Sequence, residues 1–225
     1  MKKIIFILIL LSNFVFASDY TSFCNCAIPK KSLSGTLMSA TGVNFLSRKI
    51  AENKIASEIK KETNSKFKVK LKTEPFVNIA HGNFSSFSAY CKNYISDRIY
   101  LSDVLVESVC PYNKIYFENN EAKFSTDTPF RFTCKVTQDN MNKMAANMHS
   151  NVLIRKNDLY FKHNIAGVKI SYGAKPKVAN NKIYIKDIPL INLDFKDSKQ
   201  RVLVENVFVK DSIIYIEGYV IVLKG

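Results

Sequence analysis

The stretch Lys66-Phe67-Lys68-Val69-Lys70-Leu71-Lys72 alternates charge and hydrocarbon without a fault. Successive side chains of a strand point to opposite faces. Phe67, Val69 and Leu71 therefore share one face, and Lys66, Lys68, Lys70 and Lys72 share the other. The pattern predicts a sheet with one face in a core and one in water. The lysine row suits a solvated strand face that also guards an edge against pairing with another chain.

The flanking sequence supplies the partners. Upstream, Val43, Leu46 and Ile50 continue into Ala51, Ile55 and Ile59, spaced by three and four, while Arg48, Lys49, Glu52, Lys54, Glu58 and Lys60 fill the intervening positions. This spacing predicts a long amphipathic helix over 43–63, with the charged set on its other side. Downstream, strands are expected from Asn83 to about Asn93, then at 99–109, 114–117, 122–125 and 130–136. Thr137 is a good N-cap for a second, shorter helix whose apolar stripe is Met141, Met144, Ala145 and Met148. After Ser150 the pattern is all strand, with turn signals at Lys156-Asn157-Asp158, Ala179-Asn180-Asn181 and Lys210-Asp211-Ser212. The expected architecture is one α+β domain over residues 18–225: a long antiparallel β-meander with a long N-terminal helix and a second shorter one.

The first residues carry a different signal. Lys2 and Lys3 precede an unbroken apolar run from Ile4 to Leu11, and Val15-Phe16-Ala17 ends in small or apolar residues. This reads as a signal peptide over residues 1–17, cleaved before Ser18. The run is too short for a membrane span, which needs about 20 apolar residues. The expected location is the periplasm or cell envelope. The chain carries a formal charge of +14, two of which the signal peptide contributes. So basic a protein favours anionic partners, and outside the cytoplasm these are lipid head groups and acidic glycans rather than nucleic acid.

Five cysteines, Cys24, Cys26, Cys91, Cys110 and Cys134, all follow the expected cleavage point. In an oxidising compartment they predict two disulfides and one free thiol, with at least one bond tying the arm at Cys24 and Cys26 to the sheet. No metal site is expected, because neither a histidine nor a second close pair supports Cys24-Asn25-Cys26. The sequence has no nucleophile elbow, no zinc-protease helix and no glycine-rich phosphate loop. His81, His149 and His163 are scattered. Neither an enzyme nor a cofactor is expected.

Residues 43–148 resemble a known family in order and spacing. The long helix is followed by a valine-bearing strand and then Pro75-Phe76-Val77-Asn78-Ile79-Ala80-His81-Gly82-Asn83-Phe84, close to the pattern Pro-Phe-Val-x-Ile-x-x-Gly-x-Phe. Val136-Thr137-Gln138-Asp139-Asn140-Met141-Asn142 is similar to the family's threonine-capped helix start. The family is the LmeA-like phospholipid-binding proteins of bacterial envelopes, themselves similar to the tubular lipid-binding superfamily. The cysteines and Met141 depart from its pattern, and the tail after residue 190 matches only as generic strands. The resemblance implies a curved sheet wrapping the long helix around an apolar groove.

The resulting expectation is binding, transfer or presentation of a phospholipid-like amphiphile at the envelope. Leu46, Ile50, Ile55, Ile59, Phe76, Met141, Met144 and Met148 would border the groove, since flexible methionines adapt to chains of different shape. Lys66, Lys68, Lys70 and Lys72 would meet the anionic head group of the lipid or of a membrane surface. A reading of another class is an exported structural or adhesion module that binds protein or acidic glycan through its basic surface.

Overall fold

The computed structural model describes Cys24 and residues 42–73, 82–96, 99–111, 113–118, 121–145, 151–165, 168–180, 182–185, 188–192 and 200–224. The expected signal peptide, Cys26, Phe76 and Met148 lie outside the described residues. Helix α1 spans Val43–Thr63 and leads into β1, Lys68–Lys72. Then come β2 (Asn83–Phe84), β3 (Ser86–Ser96), β4 (Ile99–Ser108), β5 (Asn113–Glu118), β6 (Glu121–Phe124) and β7 (Thr128–Val136). Helix α2, Gln138–Ala145, precedes β8 (Asn151–Arg155), β9 (Asp158–Ile165), β10 (Val168–Ala174) and β11 (Pro176–Ala179). The chain ends with β12 (Lys182–Ile185), β13 (Ile188–Asn192), β14 (Gln200–Lys210) and β15 (Ile213–Val222).

The class is α+β, mostly antiparallel sheet. The largest sheet has the order β1-β3-β4-β7-β15-β14, and three-stranded sheets run β10-β9-β8, β11-β12-β13 and β2-β5-β6. The described strands therefore do not form one meander. β15 returns to pair with β7, Ile216 opposite Cys134 and Val220 opposite Phe130, and the six strands β8 to β13 fall into two smaller sheets in between. β11 has no counterpart in the sequence reading. Its first residue is Pro176, and a proline is tolerated at that position because no ladder donor is needed there.

The inner face of the large sheet is the core. Val69 and Leu71 of β1, Phe87, Ala89 and Cys91 of β3, Phe130, Phe132, Cys134 and Val136 of β7, and Ile214 and Ile216 of β15 are all buried. Phe130 makes edge-on ring contacts with Phe87 at 5.2 Å and with Phe124 at 5.3 Å, so it locks β6 onto the large sheet. Thr137 caps α2 as its residue type predicts. Its Oγ1 accepts from the Asn140 N–H at 3.3 Å, and its own N–H donates to Asn140 Oδ1 at 2.9 Å. Gln138 then acts as a strand surrogate, donating to the Val152 carbonyl and accepting from the Ile154 N–H, both at 2.7 Å.

Two expectations are corrected. One disulfide joins Cys24 to Cys110 and ties the arm to the bend after β4, but Cys91 and Cys134 are both free and buried. They share the inner face yet sit on β3 and β7, with β4 between them. Two strand spacings put them about 10 Å apart, beyond the reach of a disulfide. Burial raises both thiols above their ordinary range, Cys134 to about 12, so both stay protonated. The second correction concerns α1. Ile55 is buried, whereas Leu46 and Ile50 are 62% and 67% exposed. Ile50 and Ile55 are five residues apart, about 140° around a helix. The apolar positions therefore form two faces rather than one.

Glu52 belongs to the inner face with Ile55. It is buried, and its Oε1 accepts from the Leu71 N–H at 3.0 Å, while Oε2 takes Lys49 Nζ at 2.8 Å. A carboxylate thus satisfies a backbone donor of edge strand β1, a charge-assisted bond stronger than a neutral one.

Candidate functional site

Helix α1 starts at Gly42, whose carbonyl accepts from the N–H groups of Phe45 and Leu46 at 3.1 and 3.2 Å. Its inner face, with Ile55 buried and Ile59 partly buried, packs into the core. Away from it, Leu46 and Ile50 are exposed on the outer face, while Phe45, seven residues before Glu52 and so on that residue's side, is 54% exposed in the first turn. The Arg48 guanidinium carbon lies 5.2 Å from the centre of the Phe45 ring. Lys49 is exposed beside them. Three exposed apolar side chains are thus interleaved over the first two turns of α1 with Arg48 and Lys49, both within ion-pair distance of Glu52.

The lysine row is where the alternation places it. Lys66, Lys68, Lys70 and Lys72 are exposed, and β1 forms one edge of the large sheet. Across the ladder, Lys68 faces Tyr90, Lys70 faces Ser88 and Lys72 faces Ser86. None of these neighbours is acidic, so no cross-strand ion pair offsets these three lysines.

A polar cluster continues across the outer side of the sheet. Asp103 of β4 sits at φ 49°, at an irregularity in the β4–β7 register between Ser102 and Leu105. Its carboxylate accepts from the Tyr90 hydroxyl at 2.7 Å and from Lys135 Nζ at 2.9 Å. These two bonds hold the Asp103 carboxyl below its ordinary value of 3.8, and the bond to Asp103 raises Lys135 above its own. Lys135 lies 6.0 Å from the Tyr215 ring centre, and Tyr215 stacks on Phe208 at 5.2 Å. Because the folded-state pKa of Asp103 is depressed, its contribution is present above the unfolded value and lost as pH falls through the folded one. Asp103→Asn keeps a residue tolerant of positive φ. It is expected to lower stability at pH 7 by no more than about 1 kcal/mol, because the pair is largely exposed. Thermal unfolding of parent and variant should converge as pH drops below 3.8; an equal gap at pH 7 and pH 2.5 would show that the ion pair contributes nothing.

Among the described residues, the expected groove positions are divided between the two helices. Met141 is fully buried and Met144 packs against the core. Helix α2 packs on β4, β7 and β8, whereas α1 packs on β1 and β6. The two helices thus enter the core over different strands. Two open clefts, of about 510 and 650 Å³, flank the turns β8–β9 and β14–β15, and neither is lined by α1 or by a methionine. No described helix is long and apolar enough to cross a membrane. The exposed apolar side chains at the start of α1, the Asp103 cluster and the two clefts have no signal in the sequence, because each depends on which elements pack together. Compared with known protein families, characterised relatives and solved structures, the chain matches none.

Proposed function

We propose that this is an exported envelope protein that binds phospholipid-like amphiphiles at an anionic membrane surface, for transfer or presentation of the lipid. The observation that carries the reading is the exposure of Phe45, Leu46 and Ile50 in the first two turns of α1, beside Arg48 and Lys49. Exposed hydrocarbon interleaved with cations matches the boundary between acyl chains and acidic head groups. The lysine row of β1 adds long-range attraction to the same charge. The Cys24–Cys110 bond supports an oxidising location such as the periplasm. A sheet wrapping α1 around an internal groove, as the family resemblance implies, gains less support, since Ile55 and Met141 are closed into the core.

Co-sedimentation with vesicles of phosphatidylcholine containing phosphatidylglycerol tests this. The triple variant Phe45→Ser, Leu46→Ser, Ile50→Ser should bind at least 30-fold more weakly, roughly the loss expected when three partly inserted apolar side chains are removed. Its melting temperature should be unchanged, because all three side chains are exposed. Replacing Lys68 and Lys70 with Gln should reduce the salt dependence. Equal sedimentation with pure phosphatidylcholine, or an unaffected triple variant, rejects the proposal. The adhesion reading rests on the same lysine row and predicts salt-sensitive binding with no dependence on Phe45, Leu46 or Ile50, so the triple variant separates the two.

A further inference from the structure

The turn Lys156-Asn157 between β8 and β9 docks against the turn Asp211-Ser212 between β14 and β15. The Ser212 N–H donates to the Lys156 carbonyl at 3.0 Å, and the Lys156 N–H donates to Ser212 Oγ at 3.1 Å. Lys156, Asp211 and Ser212 all have positive φ, so three non-glycine residues in a sparsely populated conformation meet at one point. The reciprocal bonds hold the two hairpins together across 56 residues of sequence.

Two clefts adjoin this junction. The smaller, about 510 Å³, carries Arg155, Lys156, Asp158 and Tyr160. The larger, about 650 Å³, carries Lys175, Lys210, Asp211, Asn157 and Phe208. Each cleft thus holds two cations, one carboxylate and one aromatic ring. Among the described residues, Arg155, Lys156, Lys175 and Lys210 make no ion pair, so their charge is available to a ligand. Both rings are held in place. Phe208 stacks on Tyr215 with 9° between the planes. Tyr160 lies over Gly173, its register partner on β10, where a Cβ would come within 3.1 Å of the ring.

We infer that the paired clefts form a binding site for an acidic saccharide that spans the docked turns with at least one sugar unit in each cleft. A bare phosphate or head group would use the cations alone, and the carboxylates would oppose it. A saccharide uses every group present. The rings lie against the C–H faces of the sugars, and Asp158, Asp211 and Asn157 accept or donate hydrogen bonds to hydroxyls. The cations meet the acid groups of the sugar. The site is separate from the α1 surface and does not depend on it.

Calorimetric titration of the mature protein with trigalacturonate, with maltotriose as the neutral control, tests this. Trigalacturonate should bind and maltotriose should bind at least tenfold more weakly. The triple variant Arg155→Gln, Lys175→Gln, Lys210→Gln should lose tenfold or more in trigalacturonate affinity, with an unchanged melting temperature, since each removes a charge-assisted contact. The α1 variant Phe45→Ser, Leu46→Ser, Ile50→Ser should bind the trisaccharide as the parent does, so failure of either site leaves the other standing. Equal affinity for maltotriose, full affinity in the triple cation variant, or displacement of the trisaccharide by an equal concentration of inorganic phosphate overturns the inference.

Discussion

Replacing both Cys24 and Cys26 with serine is expected to lower the melting temperature by roughly 10–15 °C, taking about 2–4 °C per kcal/mol for a chain of this size. The Cys24–Cys110 bond closes a loop with a sequence separation of 86, which contains α1 and strands β1 to β4. Loop-closure entropy for that length corresponds to about 4–5 kcal/mol of stability. Cys24 is the better site for the test than Cys110, because Cys110 is buried and its loss would add a packing defect. Cys26 is replaced as well so that it cannot take over the partner. Adding reductant should bring the parent down to the melting temperature of the variant and leave the variant where it is. Cys91 and Cys134 do not enter, since they are already thiols in the core. Coincident melting curves for oxidised parent and variant would show that the arm contributes nothing to the fold.

What the sequence made legible follows from the range of the forces involved. The alternation at 66–72 reports a local fact, the two faces of a strand, and β1 has those faces. The Thr137 cap and the turn at Asp211 are also settled within a few residues. Pairing between distant strands is not local. Nothing in Ile213–Val222 says that it lies beside β7 rather than beside a neighbour in sequence. The error in α1 has a similar root. The four-residue steps from Leu46 to Ile50 and from Ile55 to Ile59 each look like one stripe, and the five-residue step between them turns the helix to a new face. Glu52 was hidden by its charge, since a carboxylate becomes an inner-face residue only where a sheet edge offers it a donor such as the Leu71 N–H. For the candidate site, the exposure of the lysine row is therefore legible in the sequence, and that of Leu46 and Ile50 on α1 is not.

Gly82→Ala is expected to cost on the order of 3–5 kcal/mol, far more than the same change at Gly42. Both glycines have positive φ, 74° at Gly42 and 79° at Gly82, so each substitution carries about 1–2 kcal/mol of backbone strain. The surroundings differ. A Cβ at Gly42 meets nothing within 4 Å, whereas one at Gly82 would stand 1.7 Å from the carbonyl oxygen of Ile115. That oxygen belongs to backbone and cannot swing aside. The Gly82 carbonyl also accepts the Ile115 N–H at 2.9 Å, so relieving the clash breaks the start of the β2–β5 pairing. Phe84 is two residues on, 1% exposed, and is drawn into the core by that pairing. Releasing it adds a loss comparable to truncating a buried phenylalanine, about 3–5 kcal/mol when complete. Chemical denaturation of the two variants measures the difference directly. Equal losses at both positions would mean that β2 and β5 part at little cost and that the small sheet does not anchor Phe84.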